Sequence, residues 1–431
     1  MRAKRPARPC LEGRIRKHKP APLMYIAIDI LLYTIIVLSV GTGVYWGIVA
    51  FHVIRTLRQV PSLRQGLKVS PALKLTAANE PAVCVIVPAH NEARTIGVLL
   101  DAILTQDYPN LHIVFSLDRC TDDTLAVIQS RVKDDPRVEI VLVDQCPENW
   151  VGKVHALHRA VTTSAFVPRA DMLLFLDADT QPAPQCVRAA VNLMAARELQ
   201  MLSVLSTMTS DKWFEKVVQP IAGTELLRQY PMTRANSKTH KRPFANGQFI
   251  LVRRAAYESI GGHESVRSEV LEDVWLARHL SRNGHDCGFI FSGDLLFCRM
   301  YDQWDRFKKG WLRIYGECAS RKPRRLRSSA FRVRFLGTVL PLIAISCVVL
   351  SLTVMKEYQA ITGLTAGIFG TGIWLAVIIA IYRIGRAPLW AAPSTIVGFW
   401  IVGSLMREAA RDYESGKPVI WGGKEYRREQ Q

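Results

Sequence analysis

Leu173 to Thr180 read Leu-Leu-Phe-Leu-Asp-Ala-Asp-Thr: an apolar run that stops on two carboxylates, Asp177 and Asp179, with one small residue between them. Such a run reads as a buried central strand. In an open α/β sheet the carboxyl ends of the strands face the ligand crevice, so both acids would stand where a substrate binds. Two hard oxygen donors there suit Mg²⁺ or Mn²⁺, which keeps positions open for phosphate oxygens. An isolated Asp-x-Asp is more often a solvated loop after a strand, and its surroundings must decide. Three further strand ends carry related chemistry: Pro88-Ala89-His90-Asn91-Glu92, then Asp118-Arg119-Cys120-Thr121-Asp122-Asp123, then Gly152-Lys153 beyond the third strand. Convergence on one sheet edge is what a site requires. A nucleotide diphosphate would use all of it, with a carboxylate for a base N–H, a lysine against the pyrophosphate and a metal on the last acids. Glu272 and Asp273 open an amphipathic helix; alone they are an ordinary acidic helix start, and Lys153 alone is a solvated lysine. His155 and His158 read as surface or core histidines rather than ligands.

The elements that must position these groups alternate. Strands are expected at 83–87, 112–117, 138–143 and 172–176. Helices are expected at 92–105, 121–133 with Thr121 as N-cap, and 153–161. Strand and helix in turn give an α/β fold with a largely parallel sheet covered on both faces. Beyond it, 185–198 and 214–230 read as helical, 233–242 as a polar loop, and 243–253 as a loop entering an apolar strand. Gly261-Gly262 supply a tight turn ahead of the helix 271–282.

With 431 residues and a net charge of +19, the chain calls for anionic partners: nucleic acid, phospholipid or a phosphorylated substrate. Hydropathy selects among them, because 23–54, 335–355, 359–382 and 389–406 are long and apolar enough to cross a bilayer, which a nucleic-acid binder would not need. The last of these holds Pro393, Gly398 and Gly403 and could be re-entrant. The domain plan is a basic tail (1–22), a transmembrane helix (23–54), a linker (55–80), a catalytic domain (81–320), a basic membrane-surface segment (321–334), a bundle of about three transmembrane helices (335–406) and a basic tail (407–431). Met24 directly precedes the first apolar run and is an alternative start. The first tail and the 321–334 cluster give opposite topologies; the cluster, which places the soluble domain in the cytosol, agrees with a nucleotide-linked substrate. The side of the C-terminal tail stays open. The 9 cysteines lack metal spacing and read as reduced thiols.

Six segments in order, PAHNEARTIGVLLDAILTQDYPNL, SLDRCTDDT, WVGKVHALHRA, LLFLDADTQPAP, ANGQFILVRRAAYESIGG and VLEDVWLARHL, resemble the successive motifs of family 2 glycosyltransferases with a GT-A fold. They cover Pro81 to Arg282. With the flanking spans, the chain is most similar in type to membrane-bound enzymes that glycosylate lipids, such as hopanoid-associated and carotenoid-acid glycosyltransferases and, more distantly, ceramide glucosyltransferases. Trp421-Gly422-Gly423-Lys424 resembles the tail of the bacterial branch, which implies a bacterial cytoplasmic membrane.

The resemblance implies roles for particular residues. Pro88, His90 and Glu92 match the first nucleotide-binding loop, and Asp118 the acid on uracil or ribose, although Leu117 stands where relatives often carry another Asp. Lys153 matches the basic residue near the diphosphate. Asp177 would reach donor ribose or sugar and, with Asp179, the metal. Asp273, after Glu272, matches the general base, held ionised by the helix dipole. Asn246, Gly247, Gln248, Arg299, Tyr301 and Trp311 fall to the acceptor end. Processive members carry Gln-x-x-Arg-Trp, which Gln303-Trp304-Asp305-Arg306-Phe307 is read as not matching, in favour of one sugar per acceptor. The expectation is a metal-dependent inverting transfer from a nucleotide-sugar, a UDP-sugar foremost, to a membrane lipid. Polyprenyl phosphate as acceptor, or a non-catalytic scaffold binding anionic lipids, are the rival readings.

Overall fold

The computed structural model describes residues 22–73, 80–237, 239, 242–417, 419–421 and 424–426. The expected basic tail up to residue 21, the end of the expected linker, part of the polar loop 233–242 and Gly422-Gly423 lie outside the described residues.

Helix α1 (Pro22–Gln59) is apolar on every side and leaves residues such as Val37 68 % exposed, while a narrow stripe through Leu32, Ile36 and Trp46 packs inward. Such a helix suits hydrocarbon rather than water. It does not give way to a linker at 55. It runs to Gln59, and α2 (Arg64–Leu73) follows at once. Leu63 is fully buried, its N–H donates to the Phe291 carbonyl (2.8 Å), and a Cβ on Gly66 would overlap the Ala189 carbonyl. This segment is part of the soluble domain because its small and apolar residues fill that domain's flank.

Next come β1 (Val83–Ala89), α3 (Ile96–Leu104), β2 (Leu111–Asp118), α4 (Thr124–Val132), β3 (Val138–Val143), α5 (Gly152–Thr163), β4 (Met172–Leu176), β5 (Thr180–Pro182) and α6 (Cys186–Ala196). Thr121 is not the N-cap of α4. The helix begins at Thr124, whose N–H donates to Asp122 Oδ1 (3.1 Å), while Thr121 N–H is taken by Asn91 Oδ1 (2.8 Å). Then follow β6 (Met201–Leu205), β7 (Thr207–Met208), α7 (Trp213–Val217), α8 (Gln219–Gln229), α9 (Met232–Ala235), β8 (Phe249–Arg253), α10 (Arg254–Ser259), α11 (Glu272–Arg282), β9 (Cys287–Phe291) and β10 (Leu296–Cys298).

The main sheet has the order β3-β2-β1-β4-β8-β6-β9. Strands β1 to β4 are parallel to one another, and β8 runs antiparallel to both β4 and β6. Mostly parallel strands buried by helices on both faces make this the GT-A-like architecture expected from the sequence. Because β8 is reversed, its first residue, Phe249, pairs with the last residue of β4, Leu176. The loop 246–248 therefore arrives at the same edge as the ends of β1, β2 and β4.

The remaining helices are α12 (Trp304–Cys318), α13 (Pro323–Arg334), α14 (Leu340–Thr353), α15 (Glu357–Ile384) and α16 (Thr395–Glu414), before a short hairpin of β11 (Val419–Trp421) and β12 (Lys424–Tyr426). One π turn, Phe335–Val339, joins α13 to α14. Among the described residues four helical runs are long and apolar enough to cross a membrane: Leu23–Gln59, Pro323–Thr353, Glu357–Ile384 and Leu389–Glu414. Of the segment 321–334, Pro323–Arg334 forms the first part of such a helix, with Leu326, Ala330 and Val333 buried against the bundle and Arg332 reaching Glu225 of α8 (3.2 Å). The last run is one continuous helical stretch rather than a broken one. A short 3₁₀ turn (Leu389–Ser394) absorbs Pro393, and α16 then continues unbroken to Glu414. Its glycines serve helix packing: a Cβ on Gly398 would overlap the Val217 carbonyl of α7, and one on Gly403 would stand 3.1 Å from the Ala330 carbonyl. Gly398→Val is expected to destabilise the protein by about 1–3 kcal/mol through overpacking, read as a lower thermal midpoint in detergent.

Candidate active site

Lys153, in the first turn of α5, is the hub. Its ammonium lies 2.6 Å from Asp177 Oδ1, just past β4, and 3.1 Å from Glu272 Oε1, at the start of α11. The Asp273 carboxylate accepts the Gly247 N–H (2.7 Å) and the Val274 N–H (2.7 Å). A Cβ on Gly247 would stand 3.2 Å from Lys153 Nζ, 3.3 Å from Asp273 Oδ2 and 3.5 Å from Glu272 Oε1. Position 247 is thus where a backbone without a side chain lets four charged groups from three elements close up. Burial pulls the Lys153 pKa down, but the charges of Asp177, Glu272 and Asp273 outweigh it, and the ammonium is held protonated.

The acids respond to the same field. Burial, then the adjacent Glu272, pushes Asp273 up to about 7 against Lys153 and its two N–H donors. The helix dipole therefore does not hold Asp273 in the ordinary carboxylate range, because desolvation at the buried start of α11 outweighs it. Asp179 is also raised to about 7, by burial and then by the charges of Asp177 and Glu92. Glu92 is raised chiefly by burial, with Thr95 Oγ1 donating to it (2.5 Å).

Among the described residues there is no cluster of three His, Cys, Asp or Glu side chains with metal-holding spacing. The pair Asp177 and Asp179 still fits a divalent cation by donor chemistry. Two hard carboxylates repel each other at a buried strand end, an arrangement a cation relieves, and ligand oxygens commonly complete such shells.

Other sequence expectations need correction. Gln248 is 5 % exposed and sits within the protein: its Nε2 donates to Cys298 Sγ (2.9 Å), whose thiol donates to Asp179 Oδ1 (3.4 Å). Asn246 Nδ2 donates to Gln248 Oε1 (2.8 Å), so both side chains support Asp179 and only Gly247 of that loop borders the charged pocket. Trp311 is 5 % exposed, packed against Phe307 and Tyr315 in the aromatic core that joins α12 to the helical bundle, because the apolar face of α12 turns inward there. Arg299 donates its backbone N–H to the Asp179 carbonyl (3.0 Å) while its exposed side chain pairs with Asp211 (2.9 Å). Asp118 is clasped by Arg119 through two hydrogen bonds (2.8 and 2.7 Å), and His90 Nδ1–H donates to the Asp118 carbonyl (2.6 Å), tying the ends of β1 and β2 together. Pro88 lines the cavity beneath Lys153 and Asp177 with Phe175 and His263. The segment 303–307 is close to the processive pattern, contrary to the expectation of no match: Gln303 and Arg306 keep its spacing and only Phe307 replaces the tryptophan.

Cys298 and Arg313 were not singled out by sequence. Cys298 touches Asp179, and the charge of Arg313 acts on Asp177. Neither carries a local signal, since Asp179 and Asp177 lie more than a hundred residues earlier in the chain and only tertiary folding brings these groups together.

Residues 81–292 match the model of a family described as glycosyltransferase like family 2. Over 241 residues the chain is 25 % identical to 4,4'-diaponeurosporenoate glycosyltransferase of Staphylococcus aureus (strain MRSA252), covering 54 % of this chain and 60 % of that one. The same-named protein of strain bovine RF122 / ET3-1 is 24 % identical over 245 residues, with the same coverage. The chain thus spans less than two thirds of the curated relatives it matches. Among solved structures, a Pyrobaculum calidifontis mannosyltransferase in complex with GDP-Man and Mn²⁺ aligns with a TM-score of 0.45 at 20 % identity, covering 86 % of this chain and 99 % of that one. S. aureus TarS 1-349 aligns with a TM-score of 0.38 at 16 % identity, covering 80 % and 96 %.

Proposed function

We propose, on the premise that this chain belongs to the family 2 glycosyltransferases through its domain of residues 81–292, that it transfers one sugar with inversion from a nucleotide diphosphate sugar, foremost a UDP-sugar, to a membrane lipid. The observation that carries this reading is the meeting of Lys153, Asp177, Glu272 and Asp273 around Gly247 at the carboxyl edge of the sheet. Inversion requires a base on one side of the anomeric carbon and charge neutralisation on the other. Asp273 is the base: fixed by two backbone N–H donors, it takes the proton of the attacking acceptor hydroxyl, and no proton is needed where the acceptor is a carboxylate. Lys153, ion-paired with Asp177 and Glu272, supplies positive charge against the negative charge that develops on the departing diphosphate. Asp177 and Asp179 would hold Mg²⁺ or Mn²⁺, which supplies further neutralisation of the diphosphate.

The lipid acceptor is supported by placement. Four membrane-crossing candidates flank and pack on the domain, and α8 is tied to α13 through Glu225 and Arg332. The Tyr382 hydroxyl of α15 donates to the Lys216 carbonyl of α7 (2.7 Å). An enzyme so anchored holds its crevice against the interface where a bilayer-dissolved substrate arrives, and the matched S. aureus proteins are named for glycosylating 4,4'-diaponeurosporenoate. Transfer of a single sugar is supported by Phe307, which is fully buried among Phe214, Trp304 and Trp311 and offers no open ring to a growing glycan. The catalytic domain faces the cytosol, where nucleotide-sugars are made, in agreement with the basic cluster 321–334.

Detergent-solubilised protein with Mg²⁺ or Mn²⁺ is expected to release UDP from a UDP-sugar when lipid extract is added, and chelation by EDTA is expected to stop it. A panel of nucleotide-sugars in which none binds or turns over would end the reading. Product mass, one hexose or several, tests the single-transfer part.

A further inference from the structure

The Tyr301 hydroxyl is shut off from solvent and has no hydrogen-bond partner in the protein. A buried orphan donor is costly and calls for a partner supplied from outside. The ring is fixed edge-on against Phe307, with centroids 5.7 Å apart at 78°. The oxygen lies so close over Gly310 of α12 that a Cβ there would overlap it. Position 310 leaves the space this side chain occupies. Two residues before Tyr301, the Arg299 N–H donates to the Asp179 carbonyl (3.0 Å), which sets Tyr301 beside the acid pair, and the charges of Arg313 and Asp179 both act on its hydroxyl. Burial pushes its pKa up to about 12, so it remains an O–H donor across the working range.

What is missing here is an acceptor, and the guanidinium of Arg313 makes an anionic one favourable. We propose that Tyr301 donates a hydrogen bond to a phosphate oxygen of the donor diphosphate held beside Asp179, with Arg313 as the neighbouring cation. This deepens the glycosyltransferase reading above and rests on it. It moves Tyr301 from the acceptor end, where sequence placed it, to the donor end. The hydroxyl keeps its proton throughout; its role is to orient the diphosphate and share its charge as the sugar leaves.

The test is Tyr301→Phe in the full-length, detergent-solubilised protein, with UDP and Mg²⁺ as the titrant in calorimetry. Loss of one hydrogen bond to a charged oxygen is expected to weaken the UDP Kd about tenfold. The nucleotide-free thermal midpoint should stay equal or rise, because no bond within the protein is lost. The pairing of weaker UDP binding with unchanged stability is the signature that a structural hydroxyl would not give. An unchanged UDP Kd overturns the proposal, whether the variant shows a lowered midpoint, as for a hydroxyl that braces the fold, or a raised KM for the lipid alone, as for an acceptor contact. If the wild-type protein binds neither UDP nor GDP, the glycosyltransferase reading falls and this inference with it. If the wild type binds and Tyr301→Phe binds equally, this inference falls alone.

Discussion

Asp273→Asn is expected to lower kcat for sugar transfer to a lipid hydroxyl by about 10²–10⁴-fold, the range for loss of a positioned general base. UDP binding, measured by calorimetry, should change little, because the amide oxygen still accepts the Gly247 N–H and the ring of charge around Lys153 is otherwise intact. The pH profile gives the sign. A base must be unprotonated to act, and burial together with Glu272 raises Asp273 to about 7. Wild-type kcat/KM should therefore climb as pH rises through about 7 and level off above it, and the residual activity of the variant should lose that climb. Asp179 is raised into the same range and could mimic the profile, but only Asp273→Asn removes the climb while leaving the acid pair at 177 and 179 in place. Full transfer by the variant would remove Asp273 from the mechanism.

Lys153→Met should cost both stability and activity. Its side chain is 18 % exposed, and those of Asp177 and Glu272 are 26 % and 8 % exposed. Taking away the cation leaves two partly buried carboxylates facing each other, and breaking such a pair destabilises by about 3–5 kcal/mol. The measurement is the thermal or denaturant midpoint of the solubilised protein. The double variant Lys153→Met with Glu272→Gln should recover part of the loss, since the repulsion is relieved without restoring the cation. UDP release should stay low in both, because neither has an ammonium opposite the departing diphosphate. Equal stability of wild type and Lys153→Met would mean that the site is wetter than its geometry implies.

Much of this protein is determined by local chemistry alone. The run Leu173–Leu176 with its two acids, the alternation of strands and helices through residue 176, and the four apolar stretches are properties of neighbours along the chain, so periodicity and composition reveal them. Met172–Leu176 is a strand as expected, and the acids follow it. The residue types at 153, 177, 179, 272 and 273 were legible for the same reason.

What the fold alone decided is who meets whom and in what charge state. Gly247 reaches the pocket because β8 is reversed against β4, a choice of strand order that no local pattern encodes. Asp273 is raised rather than held ionised because the start of α11 is buried beside Glu272, and desolvation depends on what packs over a group, not on its place in a helix. Gln248 and Trp311 were expected at an open acceptor site and are instead packed inside, while Cys298 and Arg313 arrive at the acids unannounced. Side-chain identity sets what a residue can do. Distance and burial, which come only from assembling segments far apart in sequence, set what it is able to do here.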